Sequence, residues 1–131
     1  ATTPAADRLA TLRAAQRCGV ADWLSRPLRT LSDGQVQWVM LARVLAQDTP
    51  LLLLDEPTAH LDLPGKRALF ALLLNLAREE GRTIIASTHD LLPICHEVSA
   101  WWLLHEGRLL CGSPTDTRLR QTVGEALETV V

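Results

Sequence analysis

Four consecutive leucines, Leu51 to Leu54, run straight into Asp55, Glu56 and Pro57, and no other stretch constrains the fold as tightly. Apolar at every position, the run is predicted to be a strand covered on both faces, the situation of a parallel sheet flanked by helices. It stops abruptly at two carboxylates. In parallel α/β sheets ligands bind beyond the carboxyl ends of the strands, so Asp55 and Glu56 stand where a site would form. Side chains alternate along a strand, so the two acids are expected to point different ways. One would suit a Mg²⁺ ion and the other an attacking water. A polar loop after a core strand has the same appearance, and the pair alone does not decide between them.

The surrounding pattern extends the α/β reading. A helix is predicted from about Ala6 to a stop at Gly19, then a short turn over Ala21 to Leu24 that Pro27 breaks. Gln35 to Ala46 holds no Gly or Pro and carries an apolar face of Val36, Val39, Met40, Val44 and Leu45, so it is predicted helical. Asp62 with Pro64 marks the start of another helix that ends near Gly81. Thr83 to Ser87 is a second predicted strand and Leu91 to Glu97 a short helix. Ala100 to Leu104 is a third strand, turning at His105-Glu106-Gly107 into a hairpin with Arg108 to Cys111. A last helix runs from Pro114 to about Val130. Strands alternating with helices predict parallel pairing.

Composition narrows the function classes. With 131 residues and 47% hydrophobic content the chain suits one domain or a piece of one. A net charge of −2 does not suit a chain built to coat nucleic acid. No apolar run reaches the roughly 18 residues of a membrane span, and the first ten residues lack the apolar core of a secretory signal. The start at Ala1 and not Met suggests a processed or truncated piece. Cys18, Cys95 and Cys111 are odd in number and form no C-x-x-C pair, which favours a reducing compartment. His89, Cys95, His96 and Cys111 match no common zinc spacing.

Two further segments carry polar groups at positions where chemistry is possible. Leu31-Ser32-Asp33-Gly34-Gln35 opens a helix. A helix N-terminus presents unpaired N–H groups and partial positive charge, a ready anion site. Gly34 permits close backbone approach, and Ser32 and Gln35 add side-chain donors. The same residues also suit an ordinary N-cap. Ser87-Thr88-His89-Asp90 ends the second strand, placing His89 at the same sheet edge as Asp55 and Glu56.

Taken in order, these segments resemble the ATP-binding cassette ATPases. Leu31 to Gln35 resembles their signature motif, and Leu51 to Thr58 their Walker B strand with its catalytic Glu. Ala59-His60-Leu61-Asp62 is similar to the D-loop, and Ser87 to Asp90 to the switch-histidine segment. Leu41 to Pro50 and Thr58 to Pro64 look most like importer ATPases for iron-siderophore, haem and vitamin B12. The resemblance implies the C-terminal part of a P-loop NTPase, a RecA-like parallel sheet with part of a helical subdomain. Residues 1–48 would be the helical subdomain with the signature, and residues 49–131 the C-terminal part of the nucleotide-binding core.

The resemblance further implies ATP and Mg²⁺ as ligands. Asp55 would help hold Mg²⁺, Glu56 would act as base for water, and His89 would contact the γ-phosphate. Ser32, Gly34 and Gln35 would meet ATP held mainly by a second ATPase subunit in a head-to-tail dimer, with Asp62 at the interface. Permease subunits would hold the protein at the cytoplasmic face of the inner membrane, with no nucleic-acid partner. No G-x-x-x-x-G-K-[ST] occurs, so the phosphate-cradling loop is absent and the isolated chain is expected to be inactive. Asp33, Val36, Trp38 and His60 depart from the family's usual residues, and Trp38 is expected to pack against a neighbour. The alternatives are a DNA-repair or chromosome-maintenance ATPase head, which the lack of heptads before Leu31 disfavours, and a non-catalytic docking half-domain.

Overall fold

Thr3 begins the first helix: its side-chain oxygen accepts a hydrogen bond from the Ala6 N–H, and Pro4 takes the first helical position, where no N–H is needed. The computed structural model describes residues 3–89 and 97–128. Contacts divide the chain into two compact units, residues 1–89 and 90–131.

In the first unit, α1 (Pro4–Arg17) ends at Gly19, whose φ of 67° is the left-handed conformation that stops a helix cheaply. Two single 3₁₀ turns, Ala21–Trp23 and Leu28–Thr30, lead to α2 (Asp33–Ala46), which packs along α1. Strand β1 (Leu51–Asp55), helix α3 (Leu63–Arg78) and strand β2 (Thr83–Ser87) complete a strand–helix–strand crossover. The strands pair in parallel, with Leu51 opposite Thr83 and Asp55 opposite Ser87, so both carboxyl ends meet at one edge.

The core joins all three helices to one face of this strand pair. Leu52, Leu69 and Leu76 are fully buried, with Ala14, Ala15, Leu41, Leu45 and Leu73 around them. Each such leucine contributes roughly 2 kcal/mol of transfer free energy. Trp38 is half-buried and packs against this cluster. Coverage of β1 on both faces is not found. Leu53 is 67% exposed and Leu51 45%, and Ile85 on β2 shares their face. The helices lie on the side of Leu52, Leu54 and Ile84.

At the opposite end of the strands, the Arg82 guanidinium donates to Asp48 Oδ1 (2.7 Å) and to the Thr49 carbonyl (3.2 Å). Arg17 donates to Glu80 at 2.5 Å and holds that carboxyl below its usual range.

In the second unit, β3 (Trp101–His105) and β4 (Arg108–Gly112) form an antiparallel hairpin turning at Glu106 and Gly107, both at positive φ. The third strand therefore belongs to its own sheet and does not extend the parallel pair. Helix α4 (Thr117–Glu128) packs on the hairpin through buried Leu119 and Val123. The short helix expected over Leu91 to Glu97 lies almost wholly outside the described residues.

Candidate functional site

The polar groups at the carboxyl ends of β1 and β2 bond to one another across the strand pair. Ser87 Oγ donates to Asp55 Oδ1 at 2.5 Å and accepts from the Glu56 N–H at 3.2 Å, while the Ser87 carbonyl accepts from the same N–H at 3.1 Å. Register makes this possible, because Ser87 is the parallel partner of Asp55. The strand ends at Asp55, and Glu56 takes a left-handed backbone with φ 44°. The acids therefore take different partners through a turn in the backbone and not through continued strand alternation.

Glu56 Oε1 accepts from the His89 N–H (3.1 Å) and lies 2.8 Å from His89 Nδ1. An ionised carboxylate only accepts, so with Glu56 ionised the donor in this pair is Nδ1–H. Donation from Nε2 to an anion then requires the imidazolium. Glu56 Oε2 is buried and has no hydrogen-bond partner among the described residues. Natural proteins rarely leave such an atom unpaired without reason, and here it offers a proton acceptor beside the sheet edge.

A second group of polar residues lies around the start of α2. Ser32 Oγ accepts from the Gln35 N–H (3.2 Å), and Gln35 Oε1 accepts from the Ser32 N–H (2.9 Å), a reciprocal capping box. Cap and ligand-donor readings are compatible, because the Ser32 hydroxyl hydrogen and the Gln35 amide hydrogens are not used by the cap. Ser32, Asp33, Gly34, Gln35, Trp38, His60, Leu61 and Asp62 line an open cleft of about 580 Å³. Asp62 caps α3, its Oδ1 accepting from the Gly65 N–H at 2.8 Å. Gly34 is required for a reason the sequence does not show: a Cβ there would stand 2.9 Å from the His60 carbonyl oxygen.

The structure thus brings Asp55, Glu56 and His89 together at one place, and Ser32, Gly34, Gln35 and Asp62 together at another. Ser87 and Gln37 carry no role in the sequence reading. Ser87 becomes visible only through strand register, and Gln37 only through its contact, the Nε2 donating to the Pro57 carbonyl at 3.0 Å. No group of three or more potential metal ligands of the His, Cys, Asp or Glu type occurs among the described residues.

A parallel strand pair with acids and a histidine at its carboxyl edge, beside a capped helix with Gly34 in its first turn, is an α/β arrangement of the kind found in P-loop NTPases. Comparison with known proteins agrees. A family model described as "AAA domain, putative AbiEii toxin, Type IV TA system" matches residues 24–93, more than half of the chain. The ferric enterobactin transport ATP-binding protein FepC of Escherichia coli is 40% identical over 111 residues, 84% of this chain and 41% of that protein. The iron(3+)-hydroxamate import ATP-binding protein FhuC of Bacillus subtilis is 47% identical over 85 residues, 65% of this chain and 32% of that one. A bacterial ABC transporter cassette solved as a dimer superposes with a TM-score of 0.78 at 26% identity, over 88% of this chain and 50% of that chain. The chain belongs to the ATP-binding cassette ATPases. It spans 32–50% of the length of these relatives.

Proposed function

We propose that this chain supplies the base, metal-binding and signature residues of an ATP-hydrolysing subunit that drives an importer of iron-siderophore, haem or cobalamin-type substrates. The names of the two iron-transport relatives support a ferric siderophore first among these. The observation that carries the catalytic reading is Glu56 Oε2, buried and unpartnered while Oε1 is held by His89. A carboxylate with one oxygen held and the other unpaired keeps a free acceptor for the proton of an attacking water. His89 then serves twice: Nδ1–H orients Glu56, and a protonated Nε2 would meet the γ-phosphate.

Asp55 fits a Mg²⁺ ion, since Mg²⁺ is commonly held by one or two carboxylates together with phosphate oxygens and water. Bound there, the ion would neutralise charge developing on the phosphates. Ser87 would steer Asp55 by occupying its Oδ1. Ser32, Gly34 and Gln35 would face ATP held by a second subunit, with Asp62 at the interface; the dimeric cassette supports that arrangement.

Permease subunits would anchor the assembly at the cytoplasmic face of the membrane, and no helix among the described residues is long and apolar enough to cross one. The exposed Leu51, Leu53 and Ile85 suit coverage by the remainder of a larger domain. Without a phosphate-cradling loop, the isolated chain is expected not to hydrolyse ATP.

The test is Glu56→Gln in the complete subunit. Loss of the base should lower turnover by about 10²-fold or more, with ATP binding kept. Turnover within about threefold of wild type would refute the reading.

A further inference from the structure

Two non-glycine residues in the five-residue stretch from Glu56 to His60 adopt left-handed backbone, with φ of 44° and 62°. Such conformations persist only where surrounding contacts over-determine them. Part of the holding comes from β2, through the Ser87 carbonyl and hydroxyl on the Glu56 N–H. Part is local: the Ala59 N–H donates to the Glu56 carbonyl (3.0 Å) and the Leu61 N–H to the Thr58 carbonyl (3.2 Å).

The third support is α2. Gln37 Nε2 donates to the Pro57 carbonyl at 3.0 Å in a part-buried setting. Three residues earlier, and so on the same face of the helix, Gly34 lets the His60 carbonyl come within 2.9 Å of where a Cβ would be. Helix α2 therefore holds the turn at Pro57 and lies close against it at His60. Pro57 is itself buried, so its carbonyl needs a partner, and Gln37 supplies it.

We infer that Gln37 is a positioning residue for Glu56: its amide, carried on the helix that bears Ser32, Gly34 and Gln35, holds the Pro57 carbonyl and with it the left-handed turn that aims the Glu56 carboxylate. The inference rests on the proposed role of Glu56 as base. It also gives a direct mechanical link, one hydrogen bond long, from the signature helix to the base.

The experiment measures steady-state ATP hydrolysis by the complete subunit assembled with its partners. Gln37→Met removes the donor at similar volume and should lower kcat about tenfold, the rate equivalent of one neutral hydrogen bond, with KM for ATP within about twofold. Gln37→Glu, isosteric but presenting an oxygen to the carbonyl, should lose as much and serves if the Met variant does not fold. Gln37→Lys restores a donor and should recover most of the rate. In a Glu56→Gln background, Gln37→Met should leave the residual rate within about twofold, because no base remains to be aimed. A merely structural role would repeat the tenfold loss there, and that result overturns the inference. So does a Gln37→Met kcat within twofold of wild type while Glu56→Gln is inactive. Undiminished turnover in Glu56→Gln overturns the proposed function and this inference together.

Discussion

The two clusters of candidate site residues are held by bonds of very different reach. Around α2, Ser32 and Gln35 bond to each other three residues apart. At the strand ends, Ser87 reaches Asp55 across 32 residues and His89 reaches Glu56 across 33. The first geometry forms with a single helical turn. The second exists only when β1, α3 and β2 have closed their crossover in the right register. The difference teaches that the signature segment can keep its local shape while the acid–histidine site is lost, and that contacts joining the two decide whether they act together.

The joining contacts give the largest expected effect. Gly34→Asp puts a side chain against the His60 backbone carbonyl, and backbone cannot move aside as cheaply as a flexible side chain. Overpacking of this kind costs about 1–3 kcal/mol, and the added carboxylate would also face a polyanion. Denaturant titration of the complete subunit should show the stability loss. Turnover should fall at least about 10²-fold, with ATP-driven dimerisation abolished in size exclusion. Stability and dimerisation equal to wild type would break the link between signature and D-loop.

Alkaline pH should separate the clusters next. Cys18 caps the end of α1 within the shared core, and burial pushes its thiol from 9.0 up to about 11, opposed by the charge of Arg17. The folded state thus favours the neutral thiol. This contribution is fully present below pH 9 and is lost as pH rises towards 11, an effect on the order of 2 kcal/mol. Hydrogen exchange followed across that range should show protection falling faster with pH in α1 and α2 than in β1 and β2, with Cys18→Ala removing the difference. Equal loss in all four elements would mean that the clusters do not separate.

The smallest effects come from a matched pair of hydroxyl deletions. Ser32→Ala removes one cap and should cost about 1 kcal/mol. Ser87→Ala removes a donor to Asp55 and an acceptor for the Glu56 N–H, and should cost more, about 1–2 kcal/mol. Its turnover should also fall by about tenfold. Equal costs by chemical denaturation would erase the distinction between local and long-range construction.

Much of this was legible in the residues. The helix from Gln35, the strand ending at Asp55, the Asp62–Pro64 helix start and the Gly107 hairpin all follow from local rules of capping, periodicity and turn preference, and the structure contains each. The capping box could be read from Ser32 and Gln35 because it needs only three residues of spacing. The four leucines misled in one respect: apolarity at every position suggests two covered faces, but Leu52 is buried while Leu51 and Leu53 stay exposed.

What the sequence determined by itself was the identity and order of the candidate site groups, two acids, a histidine and a capped helix, because residue type and short spacing are local properties of the chain. Tertiary structure alone decided that Ser87 stands opposite Asp55, that Gln37 holds the Pro57 carbonyl, and that Gly34 makes room for His60. Each of these contacts joins residues between 20 and 32 positions apart. They follow from strand register and helix packing, which the buried core sets collectively and no single stretch of sequence encodes.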